Sequence, residues 1–488
     1  MSPGFIDVNA ELDASTNPDE LRRYSIEFAT VRHPISTVYS RSVANRRVLE
    51  AAARYPSVGA VAIATMQDLD RLDAELSELV RAGVRGVWLE GRESWATESE
   101  AAKELVRAAA RTGLPLLFPC RQWGDASAIG RLTEQYKAPV VLVGVHYFHY
   151  ADTYAALRRF DHLHVETSAL ATYAAIETFV GAVGHERVLF GSGTPARTPL
   201  AALNAVLLST LREEHKKAIL RGNAARLFGL AEAATSLPQP RLPLEAFDVH
   251  AHVPPTPWEV PQPSNDEIYT RLARLRVFAR ISSSVRALLG DLEGGNADTV
   301  AVCASGRGQL GYLVVDPSEI EISRQQIRKW GGAPGIVGAK IHCVYSGKAT
   351  ASTAVGEMFR ALADFGRPVK IHNAGADWES ALTAIANENP TLPIIVAHGG
   401  PGKPSLTTAW VVTGTQNVYA ELPSSLVDIR EARRLAAAIP PQRLLFGTDV
   451  PLLEPAFVIG TYEDLQLEPQ TLKRVYWDNA VALYGYEG

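Results

Sequence analysis

Phe247-Asp248-Val249-His250-Ala251-His252 is a short, strand-like apolar run that ends in two histidines one residue apart. Runs of the same kind follow it at Thr299–Ala304, Gly311–Asp316, Ile336–His342, Pro368–His372, Pro393–His398, Val418–Glu421 and Leu444–Asp449. They alternate with helical patterns such as Leu69, Leu72, Leu76, Leu79 and Val80 in the first half, whose three-and-four spacing lays one apolar stripe along a helix. Strand alternating with helix predicts a parallel sheet. Eight such units match the size of a (β/α)8 barrel, with a doubly wound open sheet as the second architecture of this pattern.

The first half repeats the second. Asp7-Val8-Asn9-Ala10-Glu11 pairs with Asp248-Val249-His250-Ala251-His252, and Gly86–Glu90 with Gly338–His342. Pro115–Pro119 pairs with Pro368–His372, and Pro139–Val143 with Pro393–Ala397. Arg187-Val188-Leu189-Phe190-Gly191-Ser192-Gly193 pairs with Arg443-Leu444-Leu445-Phe446-Gly447-Thr448-Asp449, and Gly222–Gly229 with Asp478–Gly485. The order is kept throughout, so the chain is expected to be two tandem (β/α)8 TIM-barrel-like domains, residues 1–230 and 245–488. A proline-bearing linker, 231–244, joins them.

Composition agrees with this and narrows the function. The 488 residues are 47% hydrophobic and 21% charged, the balance of an ordinary globular protein of more than one core. Lys and Arg number 48 against 53 Asp and Glu, without long runs of either sign, which argues against a nucleic-acid or anionic-membrane partner. Three cysteines, Cys120, Cys303 and Cys343, lack C-x-x-C spacing and fit a reducing cytoplasm. Neither a signal-peptide pattern nor an apolar run long enough to span a bilayer is present, so export and membrane insertion are not expected.

In the second copy every histidine, His250, His252, His342, His372 and His398, ends a strand-like run, and Asp449 ends the last. In a barrel, strand C-termini form one rim, where the chemistry gathers. His250 and His252 share a strand face and can hold one cation as neutral imidazoles. His372 adds a third nitrogen and Asp449 an anionic oxygen, a set suited to one divalent metal with a position left for water.

These residues, with Ala397-His398-Gly399-Gly400 and the closing Asn479–Gly485, resemble amidohydrolase family 2 of the metal-dependent amidohydrolase superfamily, and the resemblance covers both copies. It implies metal ligation by His250, His252, His372 and Asp449, with His398 orienting water or substrate. Zinc is the expected ion, with manganese or iron as alternatives. Lys340 falls where binuclear relatives carry a carbamylated lysine, with His342 two residues later; the preferred reading is one metal, with Lys340 as an amine facing a substrate anion. Metal-assisted hydrolysis of a small-molecule amide, lactone or similar bond is expected, with Asp449 moving the proton and His398 stabilising the oxyanion. The alternatives are non-oxidative decarboxylation of a carboxylated aromatic or muconate-type compound, and a non-catalytic ligand-binding protein. Trp258, in the proline-rich loop after His252, is expected to cover substrate or serve as a rigid spacer, and Arg307, Tyr345 and Lys348 to meet an anionic group.

In the first copy the ligand positions become Asn9, Glu11, Pro119, Gly144 and Gly193. That copy is expected to keep the fold without the metal site and to act as an intramolecular pseudo-dimer partner. Glu11, Glu90, Glu166 and His146 offer the competing possibility of a different cation site.

Overall fold

The computed structural model describes residues 4–12, 17–34, 40–91, 95, 99–231 and 233–487. It divides into two compact units, one ending at Pro240 and the other beginning at Arg241. The first unit is an eight-stranded parallel sheet in chain order: β1 (Phe5–Glu11), β2 (Ile26–Arg32), β3 (Val58–Thr65), β4 (Gly86–Glu90), β5 (Leu116–Pro119), β6 (Val140–Val143), β7 (Leu163–Glu166) and β8 (Val188–Leu189). The second repeats this with β9 (Ala246–Val253), β10 (Val277–Ser284), β11 (Gln309–Val314), β12 (Ile336–His342), β13 (Val369–His372), β14 (Ile394–Val396), β15 (Val418–Glu421) and β16 (Leu444–Leu445).

Both sheets curve round onto themselves, which removes the open doubly wound sheet from consideration. Ala10 bridges Thr194 and Ala251 bridges Val450, joining the first strand of each unit to the segment after its last. Each seam is held by an aspartate. Asp7 Oδ1 accepts the Asn9 and Ser192 amides and its Oδ2 the Ser192 hydroxyl, while Asp248 accepts the His250 and Thr448 amides and the Thr448 hydroxyl. Burial pushes both aspartates up to about 7 against the pull of these hydrogen bonds.

The helices cover the outer faces of strands that are themselves apolar on both sides; β3 is buried along its whole length. The stripe expected over residues 69–80 forms a helix, Leu69–Arg81, that buries Leu72 and Leu76 and leaves Val80 exposed. Each leucine so buried contributes about 1.5–3 kcal/mol. The helix Asn265–Arg274 starts on a full capping box, Ser264 Oγ accepting from the Glu267 amide and the Glu267 carboxylate accepting from the Ser264 amide.

One expected strand is wrong. Thr299–Ala304 is not a strand: Thr299–Cys303 closes the helix Leu292–Cys303, which Asp291 caps by accepting from the Gly294 amide. The second strand is instead β10, Val277-Phe278-Ala279-Arg280-Ile281-Ser282-Ser283-Ser284, whose arginine and serines disguise it although nearly all of it is buried. Arg280 keeps its place there through Gln309 Oε1 and Asn265 Oδ1. Arg307 moves with this correction: it precedes β11, at the end of the sheet opposite His250, and lies over Tyr269, so it is no rim contact for substrate.

Among the described residues no helix is long and apolar enough to cross a membrane. All three cysteines are free and buried.

Candidate metal centre

Strands β9, β12, β13 and β15, with the turns after β14 and β16, carry the second unit's polar cluster. His250 and His252 stand on β9 with ring centroids 5.2 Å apart, and Asp449 meets them from across the seam. One ligating atom from each of His250, His252 and Asp449 lies within 4.8 Å of the others, and all three residues are buried. His252 Nε2 is 3.0 Å and His250 Nε2 3.6 Å from Asp449 Oδ1.

Both histidines are oriented from behind. His250 Nδ1–H donates to Glu421 Oε1 at 2.7 Å and His252 Nδ1–H to the Ser283 carbonyl at 3.3 Å, which turns both Nε2 atoms towards Asp449. The backbone clamps the same corner, because the Asp449 amide donates to the His250 carbonyl at 2.6 Å. Gly447 is required beside it, since a Cβ there would stand 2.8 Å from that of His250.

The electrostatics suit a cation. Burial, followed by the charges of Lys340 and Lys370, holds His250 well below its ordinary value, so it is neutral and able to ligate. Burial raises Asp449, but the His252 hydrogen bond and the neighbouring histidines and lysine outweigh it and leave the carboxyl below its usual range. Lys340 Nζ lies 3.4 Å from His250 Nε2; burial and then Lys370 push it down to about 7, against the opposing pull of Glu421 and Asp449. The donor set therefore fits a divalent ion: two imidazole side chains and a carboxyl held below its usual range converge in a buried pocket.

His372 stands beside this trio rather than within it. Its ring is 4.8 Å from that of His398 and stacks on His342 at 4.1 Å, and His342 in turn stacks on Tyr345 at 4.0 Å. His398, 4.8 Å from His250, donates from Nδ1 to the Pro423 carbonyl at 2.6 Å, leaving Nε2 as the nitrogen available to the cluster. Tyr345 and Lys348 follow β12 at the rim, and burial raises the Tyr345 phenol to about 12. Trp258, half-buried, sits in a loop after β9 that is tied by Gln262, whose side chain bonds the Thr256 amide and the Trp258 and Val260 carbonyls.

Two members of the cluster escape the sequence pattern. Lys370 and Glu421 are fully buried behind His250, with Nζ 3.4 Å from Oε1. Lys370 shares a strand face with His372, and Glu421 repeats Glu166; these two facts are the signals that mark them.

In the first unit an arginine side chain stands at the corresponding corner. Arg32, on β2, donates to Asn9 Oδ1 at 2.8 Å and pairs with Glu11, the residues that answer to His250 and His252. Its guanidinium lies 3.7 Å over the ring of Trp88, which answers to Lys340. Glu90 is engaged by the Trp88 indole and Arg121, and Glu166 by the Gly144 amide and Ser168. Among the described residues the first unit gathers no metal-holding group of histidine, cysteine and carboxylate. His146 is buried against Tyr147, and burial with Arg197 lowers it to about 3.

A family model described as amidohydrolase matches residues 36–230 and 247–486, so the chain belongs to the amidohydrolase family, through both of its units. Among solved structures it is similar to 2,6-dihydroxybenzoate decarboxylase from Rhizobium, at 14% identity over 46% of this chain and 98% of that one, TM-score 0.40. A dihydroxybenzoic acid decarboxylase from Polaromonas sp. JS666, solved with manganese and 2-nitroresorcinol, matches at 14% identity over 49% and 97%, TM-score 0.40. A protein from Pseudomonas putida provisionally described as a 2-pyrone-4,6-dicarboxylic acid hydrolase matches at 19% identity over 47% and 98%, TM-score 0.38. No curated protein sequence matches the chain.

Proposed function

We propose that the second unit is a metal-dependent hydrolase of a small-molecule amide, lactone or similar bond. The observation that carries this is the convergence of His250 Nε2, His252 Nε2 and Asp449 Oδ1 in a buried pocket, with His398 and His372 beside them. These three residues, joined by His372, would hold one divalent ion, zinc before manganese or iron given the nitrogen-rich donors. Such an ion supplies Lewis acidity and a water acidified towards neutral pH.

The chain's own residues do the rest. Asp449, held ionised, accepts the proton of the attacking water and passes it to the leaving group. His398 has Nδ1–H committed to the Pro423 carbonyl, which leaves Nε2 to accept a hydrogen bond from the attacking water and orient it. Lys340 faces the substrate side of His250 as an amine, and Tyr345 and Trp258 bound the rim. The first unit serves as an intramolecular partner without its own turnover.

The test is a panel of lactones, amides and carboxylated aromatics, followed by acid release and by carbon dioxide release. Acid release that disappears in His250→Ala supports hydrolysis by the second unit. Carbon dioxide release replaces hydrolysis with decarboxylation, and turnover surviving in His250→Ala assigns it to another site.

A further inference from the structure

Behind the metal centre, one carboxylate oxygen receives three donors. Glu421 Oε1 accepts from His250 Nδ1–H at 2.7 Å, from the His398 amide at 3.1 Å and from Lys370 Nζ at 3.4 Å, in a fully buried setting. We infer that Glu421 is the positioning residue of this centre, fixing the His250 tautomer and the turn that carries His398 at a single point. The inference rests on the metal reading above and extends it to a residue outside the ligand set.

The repeat separates the two parts of this role. Glu166 occupies the same place in the first unit and accepts the Gly144 amide at 2.8 Å, so holding the turn after the sixth strand is common to both units. Glu166 also accepts from Asn9 Nδ2 at 3.3 Å, from the Ser168 hydroxyl at 2.7 Å and from the Ser168 amide at 2.6 Å, with Leu117 where Lys370 stands. An imidazole in front of the glutamate and a lysine behind it occur together in the second unit, where the first has Asn9 and Leu117. Lys370 and the His398 amide hold Oε1 in place, and an acceptor fixed there keeps the proton on His250 Nδ1 and the lone pair on Nε2. With the same oxygen gripping the His398 amide, displacement of either histidine is felt by the other.

The experiment compares wild type, Lys370→Met, Lys370→Met/Glu421→Gln and Glu421→Gln, all full-length and stripped with a chelator. Pairing the two changes avoids leaving a buried ammonium alone, and the glutamine oxygen still accepts from the His398 amide. Zn²⁺ alone is titrated in competition with a chromophoric chelator, and ¹⁵N shifts of the metal-free imidazoles are recorded. The expected result is a metal affinity about 10–100-fold weaker in the double variant than in Lys370→Met. His250 should change from one tautomer to a mixture, with the metal-free melting temperature of the two proteins matching. Glu421→Gln alone should weaken binding in the same direction. Affinities within twofold of Lys370→Met, with an unchanged His250 tautomer, overturn the role and leave Glu421 a partner for Lys370 only. If wild type takes up no Zn²⁺, or His250→Ala takes it up equally well, the metal reading falls and this inference with it.

Discussion

Each unit closes its sheet with a buried aspartate across the seam, Asp7 or Asp248, and each ends its seventh strand with a buried glutamate, Glu166 or Glu421. Where they differ is in what gathers at the strand ends. The second unit brings together His250, His252 and Asp449, a group that could hold an ion, whereas the first presents Asn9 and Glu11 to the guanidinium of Arg32. The backbone records the same division. His398 and Asp449 sit in the left-handed region at φ 59° and 61°, and their counterparts Gly144 and Gly193 hold the same bend at φ 71° and 68°. A left-handed bend costs a side chain about 1–2 kcal/mol and glycine almost nothing, so the second unit carries a strain at these two positions that the first unit avoids.

The widest separation between the units is expected in metal content. His250→Ala/Asp449→Ala should fall from about one divalent ion per chain to none and lose at least about 10³-fold in turnover, while Arg32→Met should keep its ion. Elemental analysis of both variants decides this, and loss of the ion in Arg32→Met would break the comparison. Next in size, Arg32→Met should destabilise the first unit by about 1–3 kcal/mol, because Glu11 loses its cation in a partly buried place. Urea unfolding followed beside Arg32→Met/Glu11→Gln checks it, the double variant recovering part of the loss.

The bend gives a finer contrast. Gly144 has open space where a Cβ would go, so Gly144→Ala isolates the backbone cost, about 1 kcal/mol. By the same reasoning metal-free His398→Gly should be more stable than His398→Ala by about that amount, which calorimetry on both pairs will measure. Smallest is a pH slope. Lys340 drops from its ordinary 10.5 to about 7 in the fold, so between those values the unfolded chain holds more protons and stability rises with pH. Metal-free Lys340→Met should flatten the second unit's rise between pH 7.5 and 9 by up to about 1.4 kcal/mol per pH unit, with no change in the first unit, where Trp88 stands.

Much of this was legible in the sequence because barrels place chemistry at strand ends, and the second unit's histidines all end strand-like runs. The eight-fold count came out right with one wrong member. Thr299-Val300-Ala301-Val302-Cys303 carries strand-favouring residues but ends a capped helix, and β10 hides behind Arg280 and three buried serines, so tertiary context overruled local preference at both places. Arg307 was misplaced for that reason alone. Glu421, Lys370 and Arg32 were not legible as site members, since a lone charged residue at a strand end carries no spacing to read. Only the fold brings Arg32 to Glu11 and Lys370 to Glu421.

The seam has a temporal side as well. His250 and His252 belong to β9, and Asp449 follows β16, so the candidate ion site straddles the join between the first and last strands of its unit. Contacts between such distant stretches of chain are costly in loop entropy and slow to form. The site is therefore incomplete while the ring is open, and uptake of an ion would report, as a clock does, the moment at which the second unit finishes closing.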